Sequence, residues 1–334
     1  MPNQNHTSLS HNRILITGGL GFVGSAIAKR LLQEKAGEVV LFDAKKEIPS
    51  VLENVPGKEK LRIITGDIRD PKQVSEAISG CDYVFHEAGF CVTRAAKEPR
   101  LAHEIFVDGT FNVAMACVEQ RVKKLIHASS AIVYGEPLRL PLDEAHPTHD
   151  TTYYGIFKTA NENLLRSLSE QEGLRYLALR YFNIYGPGMN LFGPEVEVLV
   201  RWLDRLDGGL APLVFGNGSQ TLDYIFIDDI AEANWLALGS DEAGDVFNVC
   251  TGRETSILEL LKILLRVRGL NIQPEFREAR AVNQVPRRFG SPEKAAKRLG
   301  FRARVSLEEG LRQFVAWRDS VLAQKGTGKA EVPS

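Results

Sequence analysis

Residues 13–17 (RILIT) form a short apolar run, followed at once by Gly18-Gly-Leu-Gly21-Phe-Val-Gly24 and an amphipathic stretch from Ser25 to about Lys35. An apolar run this short, closed by glycines, predicts a buried parallel strand. Strand, glycine turn and helix in that order are the setting a dinucleotide fingerprint requires. Gly18 and Gly21 let the backbone turn tightly and approach a pyrophosphate. Gly24 lets the helix pack closely on its strand, with the leading N–H groups, Phe22 and Val23 among them, turned to the phosphates.

The next apolar run, Glu38-Val-Val-Leu-Phe-Asp43, ends in an acid about twenty residues beyond the glycines. A carboxylate there can accept both adenosine ribose hydroxyls and repels a 2′-phosphate, which favours NAD over NADP. Lys45 and Lys46 soften that preference, and Asp43 could instead cap the loop. Further strands are expected at 62–68, ending in Asp67-Ile68, at 82–89, ending in His86-Glu-Ala88-Gly89, at 124–130 and at 176–183. Helical segments at 71–79, 101–120 and 150–171 lie between them. Strands alternating with helices predict βαβ units and a parallel sheet. His86 reads as a packed strand-end residue rather than a catalyst. Past residue 185 the regular alternation breaks down, with a helix over 195–207, strands returning to the sheet at 223–231 and 245–249, a helix over 257–269 and a strand at 272–276.

Tyr154-Gly-Ile-Phe-Lys158 puts a phenol and an ammonium on one face of a helix. The lysine is expected to lower the phenol's pKa from about 10 toward neutrality. Such a phenol can take a proton from a sugar hydroxyl or return one to a ketone, and Ser130 can hydrogen-bond the same oxygen.

A formal net charge of −1 without a dominant basic cluster speaks against nucleic acid or an anionic membrane as partner. No apolar run reaches the length of a membrane span. Cys81, Cys91, Cys117 and Cys250 are scattered without a CxxC pair, which fits four buried thiols in a reducing cytoplasm. The histidines show no metal-ligand spacing, so no metal is expected. Residues 1–12 and 323–334 read as disordered tails.

Taken together, the motifs resemble the extended short-chain dehydrogenase/reductase family, in particular its NAD-dependent sugar-nucleotide epimerase/dehydratase branch, over roughly residues 12–320. They are TGGLGFVG (17–24), GDI (66–68), HEAG (86–89), SSAIVYG (129–135), YGIFK (154–158), LRYFNIYGP (179–187), GNGSQTLDYIFIDD (216–229) and VSLEEGL (305–311). The resemblance implies a Rossmann-type, doubly wound α/β sheet over 13–183, with returning segments in 220–250. A smaller, interleaved C-terminal α/β substrate-binding domain would occupy 184–219 and 251–322. It implies Ser130, Tyr154 and Lys158 as catalytic residues. Gly18, Gly21, Phe22, Val23, Gly24, Asp43, Asp67, Ile68, Ala88, Gly89 and Tyr181 would join Tyr154 and Lys158 in holding NAD. Tyr181 and Phe182 would approach the nicotinamide, while Ser130, Ala131 and Asn183 would meet the substrate, Asn183 at its diphosphate.

Departures from the family's pattern carry information. Its dehydratases place Asp-Glu after the catalytic hydroxyl and its decarboxylases a Glu before Val-Tyr-Gly, where this chain has Ala131 and Ile132. Neither side chain can serve as an acid or base, so the pattern is 4-epimerase-like. The family's diphosphate arginine is replaced by Leu222, and the arginine of YGPR by Gly188. Arg94, Arg201, Arg287 and Arg288 are the candidates to supply that charge.

The resemblance therefore implies C4 epimerisation of a UDP-hexose or UDP-hexuronate through a transient 4-keto intermediate, by a homodimer paired through helices 101–120 and 153–171. Two alternatives stay open at the level of sequence. One is an NAD(P)H-dependent ketone reductase with exchangeable coenzyme; the other is a non-catalytic dinucleotide sensor.

Overall fold

The computed structural model describes residues 9–193, 196–278, 285–324 and 326. Of the expected tails at 1–12 and 323–334, residues 1–8, 325 and 327–334 lie outside them, as do Glu195 at the expected helix start and part of the 277–289 loop. Residues 323 and 324 continue the last helix and are no tail. The first half of the chain alternates strand and helix: β1 (Arg13–Thr17), α1 (Phe22–Gln33), β2 (Glu38–Asp43), β3 (Leu61–Thr65), α2 (Pro71–Ile78) and β4 (Tyr83–His86). A nearly continuous helical run follows, made of α3 (Val92–Lys97), α4 (Pro99–His103), a π-helical turn (Glu104–Asp108) and α5 (Gly109–Glu119). Next come β5 (Lys124–Ser130), α6 (Tyr153–Glu172) and β6 (Tyr176–Tyr181).

The later chain supplies β7 (Asn183–Tyr185), α7 (Val198–Asp207), β8 (Leu213–Phe215), β9 (Thr221–Leu222), β10 (Tyr224–Phe226), α8 (Ile227–Gly239) and β11 (Asp245–Val249). It closes with β12 (Thr255–Ser256), α9 (Ile257–Val267), β13 (Glu275–Arg277), β14 (Arg287–Arg288), α10 (Glu293–Arg298) and α11 (Leu307–Gln324).

Seven strands make one sheet in the order β11-β6-β5-β4-β1-β2-β3, and every pairing in it is parallel. The strand order turns around between β1 and β4, which opens a crevice at their carboxyl ends. The buried centres of β1 (Ile-Leu-Ile) and β2 (Val-Val-Leu-Phe) are wholly apolar, as strands covered on both faces require. Helix starts follow local chemistry. Asp70 accepts from the N–H groups of Lys72 and Gln73 ahead of α2, with Pro71 in the first turn. Thr152 accepts from Gly155 N–H at the head of α6, which ends on left-handed Gly173.

Several sequence expectations need correction. Of the two returning segments, only β11 enters the main sheet, whereas β10 pairs with β7 in a separate two-stranded sheet and leads straight into α8. The strand placed at 272–276 lies at Glu275–Arg277, where it pairs with β8. Residues 9–12 form a turn with Leu9 in the core, so the packed chain begins ahead of Arg13. Cys81, Cys117 and Cys250 are buried, but Cys91 is only half-buried at the head of α3.

The interleaving is tight, because α8 packs on α1 although some two hundred residues separate them, and Arg30 and Glu232 ion-pair across that contact. Among the described residues no helix is long and apolar enough to cross a membrane, and no group of His, Cys, Asp and Glu could hold a metal ion.

Candidate active site

The glycine turn lies at the crevice. Gly18 takes φ +65° and donates to the Phe42 carbonyl at 2.8 Å, while Gly21 donates to the Gly18 carbonyl at 2.9 Å. A methyl group on Gly18 would sit 2.8 Å from the Ala88 backbone, and one on Gly24 would run into the Gly18 carbonyl. No side chain caps α1, which leaves the N–H groups of its first turn, Phe22 and Val23 included, for an outside anion. Asp43 caps the loop, the second of the two roles weighed for it. It stands at the strand end, and its two oxygens accept from Leu20 N–H at 3.0 Å and Lys45 N–H at 2.9 Å, fixing the turn.

Asp67 is held by Arg69, which keeps its carboxyl below the usual range. Ile68 is buried, and its carbonyl accepts from Asn112 at 3.0 Å. Phe22 closes on Gly188, where an added methyl would meet the ring at 3.3 Å. This cradle of close backbone and an uncapped helix start fits a dinucleotide pyrophosphate.

At the end of β5, alternation sends two serines opposite ways. Ser129 donates inward to Glu162 at 2.5 Å, and Glu162 is clamped by Arg180 through bonds of 2.9 and 2.6 Å. Ser130 instead hydrogen-bonds the Tyr154 phenol. One helical turn on, Lys158 is 5% exposed, donates to the Ala128 carbonyl at 2.6 Å, and lies 5.7 Å from the centre of the Tyr154 ring. The structure thus brings Ser130, Tyr154 and Lys158 to one point beside the crevice.

The expected fall in the phenol's pKa does not occur in the protein alone. Burial pushes the Tyr154 phenol up to about 12, against the pull of the Ser130 hydrogen bond. Burial also brings the Lys158 ammonium down to about 8, with Glu87 and Glu162 acting to keep it charged. The ammonium is committed to a carbonyl and weakened by the same apolar surroundings that hold the phenol neutral.

Tyr181 is buried, and its hydroxyl donates to Glu87 at 3.1 Å and is bonded to Asn234. Ala88 abuts the glycine turn, and Gly89 is crossed by the Phe106 ring. His86 is buried between Thr17 at 2.7 Å and Thr110 at 2.9 Å, as a packed residue. Glu87 did not stand out in sequence. An acid between an apolar strand and Ala-Gly was the available signal.

The residues expected at the substrate separate more sharply. Asn183 bonds the Asp223 carbonyl through its backbone N–H at 3.0 Å and its side chain at 3.2 Å. Ala131 is buried in a small cluster with Tyr134, Phe182 and Cys250, so its methyl faces the interior. Arg94 pairs with Glu98 at 3.0 Å and lies over Phe90, and Arg201 donates to the Val196 carbonyl. Arg287 is spent on Glu254 through bonds of 2.6 and 2.7 Å. Arg288 differs from all of these. It is 4% exposed, its Nε and Nη2 have no partner among the described residues, and the charge acting on it is Asp150, four residues before Tyr154.

Asp223 was also missed. Its carboxylate gathers the N–H groups of Thr251, Gly252 and Gly290 and the Thr251 hydroxyl, tying three loops beside Arg288.

Comparison with known proteins agrees with this geometry. Residues 14–250 match the model of the NAD dependent epimerase/dehydratase family. A putative UDP-glucose 4-epimerase of Methanocaldococcus jannaschii is 32% identical over 311 residues, covering 91% of this chain and 97% of the relative. A solved UDP-N-acetylglucosamine 4-epimerase from Methanobrevibacter ruminantium, in complex with UDP-N-acetylmuramic acid, superposes with a TM-score of 0.87 at 31% identity. That match covers 93% of this chain and 99% of the other. The UDP-glucose 4-epimerase of Thermus thermophilus, solved with NAD, gives a TM-score of 0.80 at 30% identity, over 91% and 98% of the two chains.

Proposed function

This chain belongs to the NAD-dependent epimerase/dehydratase family, and we propose that it inverts C4 of a UDP-hexose or UDP-hexuronate through a 4-keto intermediate. The observation that carries the reading is the convergence of Ser130, Tyr154 and Lys158 at the crevice, with no carboxylate side chain at positions 131 and 132. Bound NAD supplies the hydride acceptor and donor for C4.

The chain's own residues supply positioning and the proton. Ser130 fixes the Tyr154 oxygen, which takes the proton of the substrate 4-hydroxyl and returns it to that same oxygen once the 4-keto sugar has turned its other face to the coenzyme. Lys158 sets a positive field 5.7 Å from that ring, which favours the phenolate as the proton moves. A buried phenol is a poor base alone, so the active form requires charge brought by its ligands. Asn183 and Arg288 hold the diphosphate. Arg288 suits that role because its buried guanidinium has nitrogens left to donate, whereas Arg287 is already engaged.

We further assign a homodimer paired through α5 and α6, supported by Phe111, Tyr153 and Ile156, which leave 48%, 51% and 46% of their surfaces exposed on those helices. Four free cysteines support a reducing compartment, the cytoplasm.

The test is to incubate the protein with UDP- and dTDP-hexoses and UDP-hexuronates, without added coenzyme, and follow the sugar protons by NMR. A C4 epimer that forms in the wild type and not in Tyr154→Phe supports the reading. Sugars left unchanged by NAD-loaded protein would transfer it to a ketone reductase.

A further inference from the structure

Glu87 is a titratable group in the catalytic cluster that the mechanism above leaves unused. It follows β4 directly, and its backbone N–H donates to the Thr17 carbonyl at 3.2 Å, so it stands where the glycine turn of β1 meets β4. A methyl on Gly18 would come within 3.0 Å of its carbonyl carbon. Its carboxylate reaches inward to the Tyr181 hydroxyl at 3.1 Å. Lys158 is the cation acting on it, and Tyr154 in turn feels its charge. Glu87 is thus anchored on Tyr181, with Asn234 of α8 on the same hydroxyl, and its charge is felt by both Lys158 and Tyr154.

A structural role explains this poorly. Tyr181 already has Asn234 as hydrogen-bond partner at 2.9–3.0 Å, so it does not need a carboxylate. A buried acid is also costly where an amide would serve.

Charge offers a better account. The oxidised coenzyme carries a positive ring and the reduced one a neutral ring. To exchange hydride with the carbon whose oxygen is bound by Tyr154, that ring must come close to the phenol, and so into the field of both Lys158 and Glu87. Lys158 alone would repel the cation and favour the reduced form. An anion close by counters that repulsion and shifts the balance toward the oxidised form.

We propose that Glu87 selects the oxidised coenzyme, its carboxylate offsetting Lys158 so that NAD is held in preference to NADH. The inference rests on the coenzyme and not on the identity of the sugar, so failure of the epimerase reading leaves it standing.

The experiment compares the dissociation constants of NAD and NADH for coenzyme-free full-length protein by calorimetry, in wild type, Glu87→Gln and Glu87→Asp. Loss of the charge should lower the preference for NAD over NADH by roughly tenfold or more, as expected for a unit charge a few ångströms away at low dielectric. The aspartate variant should stay near the wild-type ratio. Should the glutamine variant not fold, Glu87→Leu, close in volume, carries the same expectation. An unchanged ratio in a folded, uncharged variant overturns the proposal, as does an equal loss of affinity for both forms.

Discussion

Leu222 and Arg288 are register partners on adjacent parallel strands, β9 and β14, so their side chains leave the same face of that small sheet. A leucine occupies the position that the sequence motif leads one to expect as arginine, and beside it stands a buried guanidinium two of whose nitrogens have no partner among the described residues. The charge has moved across one strand pairing. Position 222 contributes apolar surface, and position 288 contributes the donor fork.

Arg288→Met should therefore have effects of opposite sign. Affinity for UDP, read by calorimetry, should fall about ten- to hundredfold, since a hydrogen bond to a charged group contributes about 1.5–3 kcal/mol. The ligand-free protein should melt at a higher temperature, because an uncompensated buried charge has been removed. Arg287→Leu should change UDP affinity little, because its exposed guanidinium is already engaged by Glu254. Unchanged UDP binding in Arg288→Met sinks the assignment.

Tyr154→Phe keeps the ring that packs edge-on against Phe106 and removes only the oxygen. Turnover, followed by NMR on whichever sugar proves to be the substrate, should drop about 10²–10⁴-fold. Bound coenzyme, measured after denaturation, should stay at the wild-type level. Loss of coenzyme together with activity would show a structural role for the hydroxyl instead.

Glu87 makes stability depend on pH. Burial raises its carboxyl from the ordinary 4.5 to about 7, with Lys158 and the Tyr181 hydroxyl opposing that rise. The folded state therefore holds this proton more tightly than the unfolded chain, and its contribution is present below pH 4.5 and lost as pH rises through 7. Glu87→Gln lacks that loss. Denaturant unfolding of coenzyme-free protein should find the variant gaining on wild type by about 2 kcal/mol between pH 5 and pH 7.5. Lys158 is held near 8, so it remains charged across most of this window. A difference that does not vary with pH contradicts the assignment.

Arg180 and Glu162 form a buried pair that also fixes Ser129, and so the serine next to it. Arg180→Met leaves Glu162 buried and uncompensated, and should cost about 3–5 kcal/mol in urea unfolding. Adding Glu162→Leu should recover much of that loss. A double variant no more stable than the single one would place the cost in packing and not in charge.

The parts of this protein that were legible in the sequence are the local ones. The glycine turn, the YGIFK face of α6 and the ends of β2 and β5 are each written within a few residues, and the crevice follows from their order. What could not be read depends on distant partners. Arg287 and Arg288 are chemically identical neighbours, and only Glu254, some thirty residues away, separates the engaged one from the open one. The direction of the Tyr154 shift was misjudged for the same reason. Sequence spacing shows the lysine beside the phenol but not the apolar enclosure that acts on both. Glu87 went unremarked because its neighbours Lys158, Tyr181 and Asn234 come from three later elements.

The late arrival of β11 and α8 also bears on how the chain is made. A ribosome finishes β6 at Tyr181, yet the strand that pairs with its open edge ends at Val249, and the helix that covers α1 ends at Gly239. While the intervening residues are translated, the nascent sheet has an unpaired strand edge and α1 an uncovered apolar face. Such surfaces invite chaperones or aggregation. An expression clone stopped at residue 183 keeps that vulnerability permanently, so the natural folding unit is larger than the coenzyme-binding motif it contains.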